Sequence, residues 1–157
     1  MINKKIDKNK ENLKEYLFKE IDIIQKIITR MNFNSFLIKG WTITLVVVTL
    51  LLNGNKYHVF IAFIPLFVFW YLDSYYLWQE KMYKKLYYWI IENRLKTDKN
   101  LFNMNASRFK KEVRSRFEIM FSETLLWFYG SIAVLIVIYL FSLSLSLLPI
   151  IKKMVCV

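Results

Sequence analysis

The sequence predicts an all-α membrane protein: three transmembrane helices with cytoplasmic amphipathic helical extensions, assembled as a homo-oligomeric bundle. The first observation is a pair of apolar runs, about Leu37 to Leu52 and Val59 to Trp78, separated by a short polar turn; a third, Leu125 to Ile151, is longer. Each is close to or above the ~20 residues an α-helix needs to cross a hydrocarbon core about 30 Å thick. The second is the absence of period-two alternation. A backbone in lipid must satisfy its own hydrogen bonds, which leaves helices or closed barrels, and without alternation helices remain. The third is composition: the chain is 56% hydrophobic and 18% aromatic, yet carries 23 Lys and Arg. A uniformly apolar bundle has no use for so many cations.

Their distribution sets the topology. Eight basic residues lie in residues 1 to 36 and eleven in residues 80 to 124, whereas the turn between the first two runs holds only Lys56 and the C-terminal tail only Lys152 and Lys153. Basic loops stay on the cytoplasmic side, so the N-terminus and the long loop are expected inside, with the Asn53–Tyr57 turn and the tail outside.

Each element has its own signature along the chain. Residues 1–10 (MINKKIDKNK) are polar and basic, the composition of a disordered leader. No apolar core or small-residue cleavage site marks a signal peptide. Residues 11–36 form a cytoplasmic helix in which Leu17, Ile21, Ile24, Ile28 and Met31 recur at steps of four and three. That seam packs on other helices of its own chain or joins copies into a bundle. The first span, 37–53, continues this helix. Ser35, Lys39, Thr42, Thr49 and Asn53 fall near one face, the pattern of a helix interface or of a wall lining water.

Lys39 needs a partner at the membrane edge, and Asp73 is the candidate. Counting from Asn55, Lys39 lies 16 residues before the turn and Asp73 lies 18 after. At ~1.5 Å per residue the two depths agree, so a rim ion pair is expected. The second span, 58–79, ends in an aromatic belt of Tyr75, Tyr76 and Trp78, and Pro65 predicts a kink. A cytoplasmic helical hairpin occupies 80–123. Its second helix is capped by Asn105 or Ser107 and carries Phe109, Val113, Arg116, Phe117 and Met120 into the third span, 125–151, before an outer tail, 152–157.

The hairpin holds the densest basic group: Arg108, Lys110, Lys111, Arg114 and Arg116. Such residues hold anionic lipid, a nucleotide or similar phosphate-bearing ligand, or a protein partner. The patch is too short and too close to the membrane plane for nucleic acid. No catalytic motif, paired carboxylates or metal-ligand cluster is present. The one histidine, His58, reads as an interfacial anchor, and Cys156 is alone. The sequence therefore implies no enzyme, cofactor or metal.

Three strings carry a resemblance: NSFLIKGWT (Asn34 to Thr42), FWYLDSYYLWQE (Phe69 to Glu80) and FSETLLWFYG (Phe121 to Gly130). Over about residues 15 to 140 the chain resembles a family of small bacterial membrane proteins, similar in layout to SLATT-type transmembrane effectors of anti-phage systems. These accompany nucleotide-signalling enzymes, as in CBASS-like and Hailong-like loci. The resemblance implies a homo-oligomeric effector in the bacterial inner membrane; three spans are too few to enclose a water path, and with the Leu17–Met31 seam as a contact between copies a tetramer is the expected assembly. It implies a pore that depolarises or kills the infected cell, gated by a nucleotide second messenger, its synthase or another cytoplasmic partner. The competing expectation is a non-conducting membrane anchor or scaffold for a soluble enzyme.

Overall fold

The computed structural model describes the backbone of residues 2–51 and 58–155, and side chains over 11–51 and 59–145. Regular structure among the described residues is entirely helical: α1 (Ile2–Leu51), α2 (His58–Ile61), α3 (Phe63–Asn93), a 3₁₀ helix (Ala106–Glu112), α4 (Arg116–Met120) and α5 (Glu123–Val155). Three helical stretches, Glu11–Leu51, Val59–Asn93 and Glu123–Leu145, are long and apolar enough to cross a membrane.

Helix α1 begins at Ile2, inside the stretch whose composition reads as a disordered leader, and passes Asn32, Asn34 and Ser35 without a break. Neither glycine nor proline occurs before Gly40. Lys, Glu and Leu lose little side-chain freedom in a helix, so nothing local stops it. The break between α2 and α3 falls at Ala62, whose N–H closes a turn onto the Val59 carbonyl at 3.1 Å. Pro65 explains the position. It has no N–H for the Ile61 carbonyl, and its ring crowds that carbonyl.

The hairpin departs from expectation. Asn105 caps its second arm, accepting the Ser107 N–H at 3.0 Å, but the arm itself is a 3₁₀ helix that stops at Val113 in extended geometry (φ −110°, ψ 142°). A single helix does not carry Phe109, Val113 and Arg116 into the third span; α4 intervenes, and α5 starts afresh at Glu123. A β-branched Val is at ease in extended backbone, and 3₁₀ segments rarely run long.

The chain divides into two compact units. One comprises Met1–Ser35 and Tyr75–Ser115, the other Phe36–Ser74 and Arg116–Val157. In the first, Trp78, Met82, Leu86 and Ile90 recur every fourth residue as the buried face of α3, with Arg94 buried just past its end, Glu20 and Ile24 buried on α1 and Phe109 on the 3₁₀ helix. This unit holds nearly all the basic residues; the other has only Lys39, Lys56, Arg116, Lys152 and Lys153.

In the second unit, Ile38, Thr42 and Val46 on α1, Leu66, Trp70 and Asp73 on α3, and Leu125, Tyr129 and Ile136 on α5 form the core. Its outer surface is apolar, with Trp127 74%, Phe141 67% and Ile64 62% exposed. Water tolerates only small patches of that kind, whereas lipid tails are at home on them.

Candidate functional site

The apolar unit encloses a polar cluster. Asp73 is fully buried, and its Oδ2 lies 2.6 Å from Lys39 Nζ and accepts the Tyr129 hydroxyl at 3.1 Å. The same hydroxyl lies 3.3 Å from the Phe69 carbonyl. Lys39 keeps its side chain 29% exposed and passes its ammonium 5.9 Å from the Phe128 ring centre. Helical spacing builds the receiving end: Phe69 and Asp73 are one turn apart on α3. The wall is aromatic, because Trp70 stacks on Tyr129 with ring centres 5.7 Å apart and donates its Nε1–H to the Met120 carbonyl at 2.8 Å. A cation and a hydroxyl donor are the kinds of partner a carboxylate needs when it is enclosed among helices.

The charged unit holds a second buried pair that sequence reasoning missed. Glu20 and Arg94, 74 residues apart, are both completely buried and meet in a fork: Arg94 Nε donates to Glu20 Oε2 at 2.5 Å and Nη2 to Oε1 at 2.9 Å. Arg94 also donates to the carbonyls of Thr97 (3.1 Å), Lys99 (3.0 Å) and Asn100 (3.3 Å), while Glu20 accepts the Phe102 N–H at 2.7 Å. The loop so held has Asn100 at φ 58° and Phe102 at φ 53°, left-handed backbone that a bulky residue avoids. The Phe102 ring sits edge-on to Tyr16 at 5.8 Å. Every guanidinium nitrogen is used, which lets the pair exist without solvent. The available sign in the sequence is Glu20 standing beside the apolar seam, at the step of four that leads to Ile24. A charge beside such a seam is ordinarily solvated, so its position alone gives no hint of a partner.

The basic group of the hairpin is not one face. Arg108 lies over Trp89 (4.3 Å) and Phe109 (4.9 Å), and its Nε and Nη2 are buried with no hydrogen-bond partner. Burial, reinforced by the nearby Arg94 charge, lowers its pKa from the ordinary arginine range. Lys110 sits 6.0 Å from the Trp78 ring centre, Lys111 is exposed, and Arg116, in the other unit, approaches the Tyr71 hydroxyl at 3.3 Å. Arg114 instead lines a groove of about 660 Å³ with Lys81, Lys84, Lys85, Tyr88 and Trp89.

The predicted polar stripe is mostly enclosed. Ser35 is 5% exposed and Thr42 fully buried; Thr42 and Thr49 turn their hydroxyls back to the Ile38 (2.8 Å) and Leu45 (2.6 Å) carbonyls. Asn53 lies outside the described residues, as does the Asn53–Tyr57 turn. Of the seam, Ile24 is buried and Leu17, Ile21, Ile28 and Met31 are half-buried within the chain itself. Further along the same helix, the Asn32 amide, with its nitrogen toward Glu80, donates to that carboxylate at 3.0 and 3.1 Å, and Glu80 also pairs with Lys84. No metal-holding cluster occurs among the described residues. Neither a family model, nor a curated protein, nor a solved structure matches this chain.

Proposed function

We propose that this chain is a membrane effector: a homo-oligomer, four subunits by preference, that opens a path through the bacterial inner membrane when a cytoplasmic signal or partner engages its charged unit. The observation that carries the reading is the Lys39–Asp73–Tyr129 cluster inside the apolar unit. Ionisable groups among membrane-spanning helices are costly, and where they are kept they mark ion routes or the joints that move to open them. The charge asymmetry supports an inward-facing N-terminus, and the layout shared with SLATT-type effectors supports oligomeric permeabilisation. One chain with three spans is too few to enclose a water path, so the reading requires assembly.

One observation favours a second reading. Thr42 is completely buried and Ser35 nearly so, which leaves less of the stripe to face water and suits a non-conducting anchor for a soluble partner enzyme. Potassium efflux from vesicles carrying the purified full chain separates the two. Efflux together with a particle mass of several subunits supports the effector, whereas a monomer without efflux supports the anchor.

A further inference from the structure

We propose that the groove of the charged unit is a binding site for a phosphate-bearing anion. Lys81, Lys85, Tyr88 and Glu92 succeed one another along α3 at steps of four, three and four, so one stripe of the helix forms the floor. Arg114, on the extended segment after the 3₁₀ helix, closes the opposite side, and Trp89 and Phe109 add aromatic wall. The volume, about 660 Å³, suits a small organic molecule.

Charge decides the ligand class. Lys84 is committed to Glu80. Lys81, Lys85 and Arg114 have no hydrogen-bond or ion-pair partner among the described residues. Like charges four apart on a helix repel, so Lys81 and Lys85 weaken α3 unless something neutralises them. A phosphate oxygen array accepts from lysines on one wall and an arginine fork on the other, geometry that a single carboxylate fills less well. Glu92 and Glu112 also line the groove. On α3 Glu92 stands seven residues beyond Lys85, which favours the Lys81 and Lys85 part of that wall for the anion and leaves the rings for the uncharged remainder. Arg108 lies over Trp89 and Phe109, adding positive potential to the same walls.

The anion has two chemical sources, a phospholipid headgroup or a soluble organophosphate. Along α3, Lys81 and Lys85 follow the apolar stretch, and Tyr88 comes ~10 Å beyond Lys81 and ~4.5 Å beyond Lys85. The inference deepens the effector reading by naming the chemistry its charged unit recognises. It is tested by binding alone, so its failure and that of the effector reading are distinguishable.

The test uses the full chain in phosphatidylcholine nanodiscs, titrated calorimetrically with inorganic pyrophosphate. In parallel, lipids retained after purification are measured by mass spectrometry from mixed phosphatidylcholine and phosphatidylglycerol. Lys81→Gln/Lys85→Gln/Arg114→Gln is compared with Lys14→Gln/Lys96→Gln/Lys99→Gln, which removes equal charge elsewhere, and circular dichroism checks that both fold. Each lost charge-assisted contact is worth about a tenfold change or more. Saturable pyrophosphate binding that falls at least about tenfold in the groove variant and less than about threefold in the control supports the soluble source. Groove-dependent phosphatidylglycerol enrichment without pyrophosphate binding supports the lipid source. Neither effect, or equal losses in both variants, overturns the site.

Discussion

Arg94→Met tests the buried lock of the charged unit. The substitution keeps the length of the aliphatic stem and removes the guanidinium. Glu20, completely buried, then keeps a carboxylate whose remaining bond is the Phe102 N–H, and the carbonyls of Thr97, Lys99 and Asn100 lose their donor together. Breaking one side of a buried ion pair costs about 3–5 kcal/mol. Whole domains are stable by only about 5–15 kcal/mol, so the loop and the end of α3 should open. The double variant Glu20→Leu/Arg94→Met removes the stranded charge and should cost less than the two single changes combined. Amide hydrogen exchange at residues 99–103, with thermal unfolding in detergent, reads both effects. The left-handed Phe102 amide should lose protection first, because Glu20 and the Tyr16 ring are what restrain it. Unchanged protection and an unchanged unfolding midpoint in Arg94→Met would refute the lock.

Three other outcomes are expected. Lys39→Met and Asp73→Leu should each destabilise the apolar unit by about 3–5 kcal/mol, with the double change costing less than their sum; strict additivity in the cycle would mean the 2.6 Å contact carries no energy. Thr49→Leu, which is comfortable in lipid, should abolish ion flux if the half-buried Thr49 edges a water path, while the same change at the more exposed Val47 should be silent; equal flux in both removes α1 from the path. A periplasm-dependent reporter fused ahead of Met1 should stay inactive, and activity there would reverse the proposed orientation.

How far the sequence is legible depends on the range of the cause. The three apolar helices and the Pro65 break have local causes and can be read from the chain, whereas the start of α1 at Ile2 cannot, because a polar, basic stretch fits a helix as well as a disordered leader. The depth of Lys39 and Asp73 needs only a shared turn and a fixed rise per residue; the two ends meet at 2.6 Å. Asn105 as a cap is likewise local. Glu20 and Arg94 are different, since nothing near either residue names a partner 74 positions away. A Glu flanking a half-buried helix face can be solvated or buried, and only the loop of 97–102 decides. The hairpin's second arm misleads for the opposite reason. Its charged and apolar residues fit a helix well enough, but the extended turn at Val113 scatters Arg108, Lys110, Arg114 and Arg116 into separate surroundings. The groove is only partly visible in the sequence, because Lys81 and Lys85 look like ordinary basic residues of a loop.

Membrane potential, followed with a voltage-sensitive dye in cells induced to express the full chain, tests the central claim most directly. Cells carrying the wild-type chain should lose the potential once phage infection supplies the signal, and Asp73→Leu, inserted at the same level, should leave it intact. A wild-type protein present in the membrane at that level, with the potential unchanged in both resting and phage-infected cells, would contradict the effector reading and leave the anchor as the function.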